Sequence, residues 1–302
     1  VKKTAFTLLL LASTFTGVAQ SRMFFGASGG ILYYNGDLND KRRVPTTKIW
    51  RNYGNVLIGA HLTRHFNAQF NYYHGSIEGV DSLTNERDNK LRNLSFESRI
   101  DELSLLLSVQ LFSNRTKRLV NPFVFAGGGI FFFNPKARYF GSNPEYYGKL
   151  IALQPLGTEG QYLTEGEHPK PYKLYQAVFP IGVGGYFRIN QKWKVKVEFA
   201  EHFTLTDYLD DASGKYVSKN ALGDTPNGEL AVYFSDRRLN QTNDPAGKNR
   251  SNASKNDNYI HFGLGIVYNP DKRPATEYKG PGFWQKLFSG RKGWWGGKGK
   301  GL

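Results

Sequence analysis

Apolar residues recur at every second position over long stretches, and this alternation limits what the chain can fold into more than any other feature. In residues 55–73, NVLIGAHLTRHFNAQFNYY, Val56, Ile58, Ala60 and Leu62 alternate with Asn55, Gly59, His61 and Thr63, and Leu57 alone breaks the pattern. Period two marks a strand with one apolar face. The pattern passes through His65, Phe66, Asn67 and Ala68 and resumes with Phe70 and Tyr72 on one side and Gln69, Asn71 and Tyr73 on the other. That spacing predicts a hairpin with a very short connection.

The alternation repeats down the chain. A first strand, 23–34, contains Gly26, Gly29 and Gly30, which blur its faces. The stretch 98–112 is the cleanest: Leu103, Leu105, Leu107, Val109 and Leu111 share one face, and Glu102, Ser104, Ser108 and Gln110 the other, with Leu106 among them. In the next strand Phe123, Phe125, Phe131 and Phe133 share one parity, and Ala126, Gly128 and Asn134 the other. Strand 175–189 sets Phe179, Ile181, Val183 and Phe187 against Gly182, Gly184, Tyr186 and Arg188. Strand 192–206 puts Trp193, Val195, Val197 and Phe199 outward and Lys194, Lys196, Glu198 and His202 inward. Strand 259–268 sets Ile260, Phe262, Leu264, Ile266 and Tyr268 against His261, Gly263, Gly265 and Val267.

Short connections alternate with long polar ones at 35–52, 79–97, 135–174 and 207–257, the first carrying Lys41, Arg42 and Arg43. An even strand count with short turns on one side and long loops on the other is the layout of an outer-membrane barrel. The sequence therefore predicts an all-β fold, an eight-stranded antiparallel transmembrane β-barrel with four long extracellular loops and short periplasmic turns. Phe66, Phe70, Phe112, Phe123, Phe187, Trp193 and Tyr268 fall at the short-turn ends, where an interfacial aromatic girdle belongs. A lipocalin-like soluble barrel keeps apolar residues inside, and a face carrying Glu102, Lys194, Lys196 and Glu198 suits such a pocket poorly.

Composition agrees. The chain has 302 residues, 34 glycines, 15% aromatics and no cysteine, so disulfides and thiolate chemistry are excluded. Residues 1–19 read as a signal peptide: Lys2 and Lys3, an apolar centre, then Gly17, Val18 and Ala19 at the cleavage site. Residues 20–270 form the barrel. Residues 271–302 form a basic, Gly- and Trp-rich periplasmic tail. In it Lys272, Arg273, Lys279, Trp284, Lys286, Arg291, Lys292, Trp294 and Trp295 are candidates for docking on a membrane leaflet or a periplasmic partner. The formal charge of +15 permits nucleic-acid binding, but an exported chain is in the wrong compartment for it.

An eight-stranded barrel is just wide enough for its own side chains. Glu102, Lys194, Lys196, Glu198, His61 and His261 are therefore expected to face the interior and pair with one another, because unpaired burial is costly. No catalytic motif and no metal-ligand spacing is present; no enzyme, cofactor or small-molecule substrate is expected. Asp207, Asp210 and Asp211 form an oxygen-rich run of the kind that holds calcium in some loops. It lacks the EF-hand spacing, and a turn braced by Asp side chains at the barrel rim is expected instead.

Four motifs carry a resemblance: YYNGDLN (33–39), FVFAGGGIFFFNPKA (123–137), LQPLGTEGQ (153–161) and FTLTDYLDDASGKY (203–216). Together they resemble the DUF6089 family of PorG-like outer-membrane barrels of Bacteroidetes, over roughly 22–270. The resemblance implies a non-enzymatic component of the type IX secretion system, in contact with outer-membrane lipid and with the periplasmic ring of the PorK lipoprotein and PorN. A passive small-solute pore and a surface-binding barrel working through its long loops are the alternatives.

Overall fold

The computed structural model describes residues 23–38 and 47–270. The expected signal peptide, the Lys41–Arg43 cluster and the tail with all its docking candidates lie outside the described residues. The strands are β1 (Met23–Asn35), β2 (Arg51–His61), β3 (Phe66–Val80), β4 (Ser95–Gln110), β5 (Val120–Arg138), β6 (Leu150–Ala152), β7 (Tyr175–Arg188), β8 (Trp193–Thr204) and β9 (Asn258–Tyr268). All pairings between them are antiparallel. β1 bonds to both β2 and β9, which closes the sheet. β6 pairs only with the upper end of β5, so eight strands form the wall.

The register fixes the barrel's shape. Followed through hydrogen-bonded partners, Tyr33 leads to Ile260, Glu201, Ile181, Ala126, Leu107, Ala68, Ala60 and back to β1 at Met23. The path returns to the same strand ten residues nearer the short-turn end, a shear of ten. With eight strands that shear tilts them by about 40° to the barrel axis.

The wall is apolar outside and carries polar side chains inside, packed among lumen aromatics. Val56, Leu105, Leu107, Ile181 and Leu264 are each more than half exposed, while Asn55, Gln69, Asn71, Ser104, Ser108 and Glu198 are buried. A soluble domain does the reverse; an apolar band around a polar interior is the lipid-facing wall of a membrane barrel. Phe66, Phe70, Phe187 and Trp193 stand exposed at the short-turn side, with Tyr268 packed on Trp193 at 4.7 Å. Phe132, Tyr175 and Phe203 stand exposed at the opposite side.

Three expectations are corrected. Phe123 is not part of the girdle: it points inward and is buried, stacked on Tyr186 at 4.5 Å. Its end-of-strand position suggested a girdle, but its parity with buried Phe125 decides. Phe112 lies just past β4, half-buried under the Arg118 guanidinium. Last, the loop after β8 is not almost wholly polar in effect. It holds two helices, α1 (Lys219–Gly223) and α2 (Gly228–Ser235). Leu209, Ala212, Leu222, Ala231 and Phe234 from this loop are buried with Leu153, Leu156 and Tyr172 of the preceding one. The loops thus form a packed cap over the barrel mouth.

Glycines on the inner face make room for lumen aromatics. A Cβ on Gly184 would stand 2.4 Å from the Phe123 ring, and one on Gly59 would stand 2.2 Å from that of Phe24. Gly128 faces outward, with nothing nearer than Phe179 at 3.8 Å. Gly184→Val should therefore lower stability by roughly 1–3 kcal/mol through overpacking, and Gly128→Val should leave it within about 0.5 kcal/mol. Urea unfolding in detergent or lipid, followed by tryptophan emission, measures both. Equal losses would place the two glycines in equivalent surroundings.

Candidate functional site

Two polar clusters stand out, one in the lumen and one in the cap. The lumen cluster lies halfway along the barrel. Glu102 of β4 accepts hydrogen bonds from Tyr259 Oη–H and from His202 Nδ1–H, the latter at 2.7 Å. His202 Nε2 and His261 Nδ1 are 2.7 Å apart, so one of them carries the shared proton. His261 Nε2 is 3.8 Å from Glu198, and Lys196 Nζ is 2.7 Å from the same carboxylate. That last contact is ionic rather than a well-aligned hydrogen bond, since neither atom meets hydrogen-bond geometry. Ser28 Oγ–H reaches toward both Asn55 and Glu198 at 3.2 and 3.4 Å. Tyr259 stacks on His202, and Tyr53 and Tyr73 flank His261.

The structure brings Glu102, Lys196, Glu198 and His261 of the expected set into one chain of contacts. Two members stand apart. His61 lies near the short-turn end, between Asn67 and Asn269 at 2.5 and 3.0 Å, stacked on Phe24. Lys194 donates to the Asn114 carbonyl at 3.3 Å and lies over the Tyr186 ring, with no carboxylate partner among the described residues. His202 and Tyr259 are the connecting residues that the expected set lacked. His202 has the inward parity of its strand, which was the available signal. Tyr259 likewise shares the inward parity of His261 on its strand; what the sequence does not show is its contact with Glu102, 157 residues away. Below this chain Phe24, Phe123, Phe125 and Tyr186 fill the lumen; above it stand Phe131, Tyr34 and Leu32. The cluster therefore holds charges in a plugged interior.

The cap cluster gathers Asp207, Asp210 and Asp211, all buried. Tyr34 Oη lies 2.7 Å from Asp210 and 2.9 Å from Asp257. A phenol has one proton to donate, so one of these carboxyls must donate in return. Asp211 accepts from Thr158 and Tyr172 at 2.6 and 2.7 Å, and its backbone carbonyl accepts from Arg250. Glu159 accepts from Arg250 and from the amides of Ser213 and Gly214. Asp37 accepts from Ser251 and the Asn252 amide. All three motifs contributing to this cluster, around Tyr34, Glu159 and Asp211, thus meet in one unit. The fourth is joined by Phe133, stacked on Tyr172. Asp210 and Asp211 are held by Tyr34, Thr158, Tyr172 and Arg250, whereas both carboxylate oxygens of Asp207 lack a hydrogen-bond partner among the described residues; Arg250 and Asp257 are members that sequence spacing left unmarked.

Burial pushes the Asp211 carboxyl up to about 6, against the opposing pull of Arg250. Burial, with Asp37 and Glu159 nearby, pushes Asp207 up to about 7. Asp210 and Asp257 are raised well above the usual range, by burial first and by neighbouring carboxylates.

No family model matches the chain, and no curated protein matches it. Among solved structures, Neisserial surface protein A has 6% identity and a TM-score of 0.40, covering 82% of this chain and 96% of its own. A major outer membrane protein of Thermus thermophilus has 12% identity and a TM-score of 0.40, covering 82% and 98%. The outer membrane protein OprG of Pseudomonas aeruginosa has 8% identity and a TM-score of 0.32, covering 83% and 98%. The barrel assignment rests on the closed strand register.

The raised carboxyls give the cap a pH dependence with a definite sign. Their folded-state values exceed the unfolded ones, so the native state binds more protons and its stability falls as pH rises. The loss develops above about 4 and is complete for Asp211 and Asp207 once pH passes the values of about 6 and about 7. For Asp211 the change is on the order of a few kcal/mol. Amides of 205–257 should exchange hydrogen faster, relative to intrinsic rates, at pH 8 than at pH 5. Asp211→Asn should flatten part of that difference; an unchanged protection factor across the range would contradict the cause.

Proposed function

We propose that the chain is a non-enzymatic outer-membrane barrel subunit of the type IX protein secretion system, which anchors or stabilises a periplasmic ring of the PorK/PorN kind. The reading draws its identity from the four sequence motifs, and one structural observation carries its mechanism. The three short turns, 62–65, 111–119 and 189–192, contain Arg64, Arg115, Lys117, Arg118 and Lys192 and no Asp or Glu. The short-turn rim is thus a ring of one charge sign, which favours an acidic partner surface by Coulomb attraction and steering. The tail residues from Lys272 to Trp295 extend the same chemistry in sequence.

The filled lumen argues against the pore alternative. Phe24, Phe123, Phe125 and Tyr186 occupy the cross-section near the short-turn end. A conduit would require them to move out of a packed core.

Reversing the rim, with Arg115, Lys117 and Arg118 each changed to Glu, should sharply reduce co-purification of PorK and PorN-like proteins from detergent-solubilised outer membrane, while the barrel still inserts. Co-purification at the original level would contradict rim docking. Steady large openings in planar bilayers would favour the pore instead.

A further inference from the structure

The outer wall of the barrel is apolar around one carboxylate. Glu201 of β8 has outward parity, between inward Ala200 and His202. Its cross-strand neighbours are Ile181 on β7 and Ile260 on β9, and its neighbours along the same face are Phe199 and Phe203. Leu205, beyond Phe203 toward the cap, is exposed as well. The carboxylate therefore lies inside the apolar band and below its upper edge. One oxygen, Oε1, accepts from Asn35 and Asn258 at 3.3 Å each. The other, Oε2, has no partner among the described residues. A carboxylate in such surroundings is costly unless it is paired with a cation or a donor.

A groove of about 690 Å³ opens beside it on the outer face, lined by Leu107, Val124, Ala126, Ile181, Val183 and Glu201, among others. Its floor is low because Ala126 and Gly128 are successive outward residues of β5. Glu201, Ile181, Ala126 and Leu107 lie on one hydrogen-bonded row. Because of the strand tilt, that row runs obliquely down the wall from Glu201 toward the short-turn side. A charged head at one end and an apolar trough leading from it match one kind of occupant.

We propose that this groove binds a lipid bearing a primary amine. The ammonium donates to Glu201 Oε2, and one acyl chain lies along the row over Ala126. Lipid is the solvent of this wall, so a lipid occupant needs no separate route to the groove. A primary ammonium supplies both the countercharge and the hydrogen-bond donor that the free oxygen lacks. A quaternary ammonium supplies only the charge, and an anionic headgroup is repelled.

The full chain, purified in detergent, is titrated with phosphatidylethanolamine, phosphatidylcholine and phosphatidylglycerol of identical acyl chains, and bound lipid is counted by native mass spectrometry. Phosphatidylethanolamine adducts should exceed the other two by about tenfold or more, as expected for one charge-assisted hydrogen bond. Glu201→Gln should abolish that preference, and Ala126→Phe, which fills the trough, should reduce binding of the amine lipid. Retained heat-modifiable migration on gels shows that each variant remains a folded barrel. Equal binding of the three lipids to the unaltered protein, or a preference that survives Glu201→Gln, overturns the proposal. A preference that survives Ala126→Phe unchanged overturns the placement of the chain.

Discussion

The pairing of β1 with β9 is the contact on which the rest depends. In hydrocarbon an unpaired backbone amide or carbonyl has no water to turn to, and each costs several kcal/mol. A sheet can stand in lipid only if it has no edge. Here eleven consecutive partners, from Phe25–Tyr268 to Asn35–Asn258, join the first strand to the last. Closure also sets the tilt, since the same register that joins the ends produces a shear of ten. The oblique rows, the groove beside Glu201 and the position of the polar lumen all follow from it.

Closure at eight strands leaves an interior that side chains must fill. Inward glycines and aromatics share that space as matched pairs, Gly184 with Phe123 and Gly59 with Phe24. Most of the charges admitted there are bound to one another, from Glu102 through two imidazoles to Glu198 and Lys196, while Lys194 rests on a backbone carbonyl and the Tyr186 ring. Above them the loops form their own core, and the carboxyl groups of the cap depend on shared protons and on Arg250. Lumen and cap are therefore two packed layers stacked along the barrel axis.

Much of the wall was legible in the sequence, because period two is a local signal. Strand β4 displays its faces directly through Leu103, Leu105 and Leu107 against Glu102, Ser104 and Ser108, and the structure keeps that division. The faces of β1 were illegible because glycine carries no polarity; only pairing shows Phe24 and Leu32 inside and Phe25 outside. Phe123 was misplaced because its position near a strand end was weighed above its parity. The cap was the least legible part. Its helices are short, and its contacts, such as Thr158 with Asp211 or Tyr34 with Asp257, join residues far apart in sequence. The motifs named the participants without showing that they meet.

The central claim is that lipid wets the face carrying Leu105, Val195 and Phe262 and does not reach the face carrying Ser104, Lys196 and Gly263. The chain has no native cysteine, so a single spin label can be placed at Leu105 or at Ser104 without background. In reconstituted vesicles, electron paramagnetic resonance with oxygen and a water-soluble nickel chelate reports the surroundings of each label. The structure predicts high oxygen and low nickel accessibility at Leu105, and low accessibility to both at Ser104. Nickel accessibility at Leu105, or lipid-like behaviour at Ser104, would contradict it.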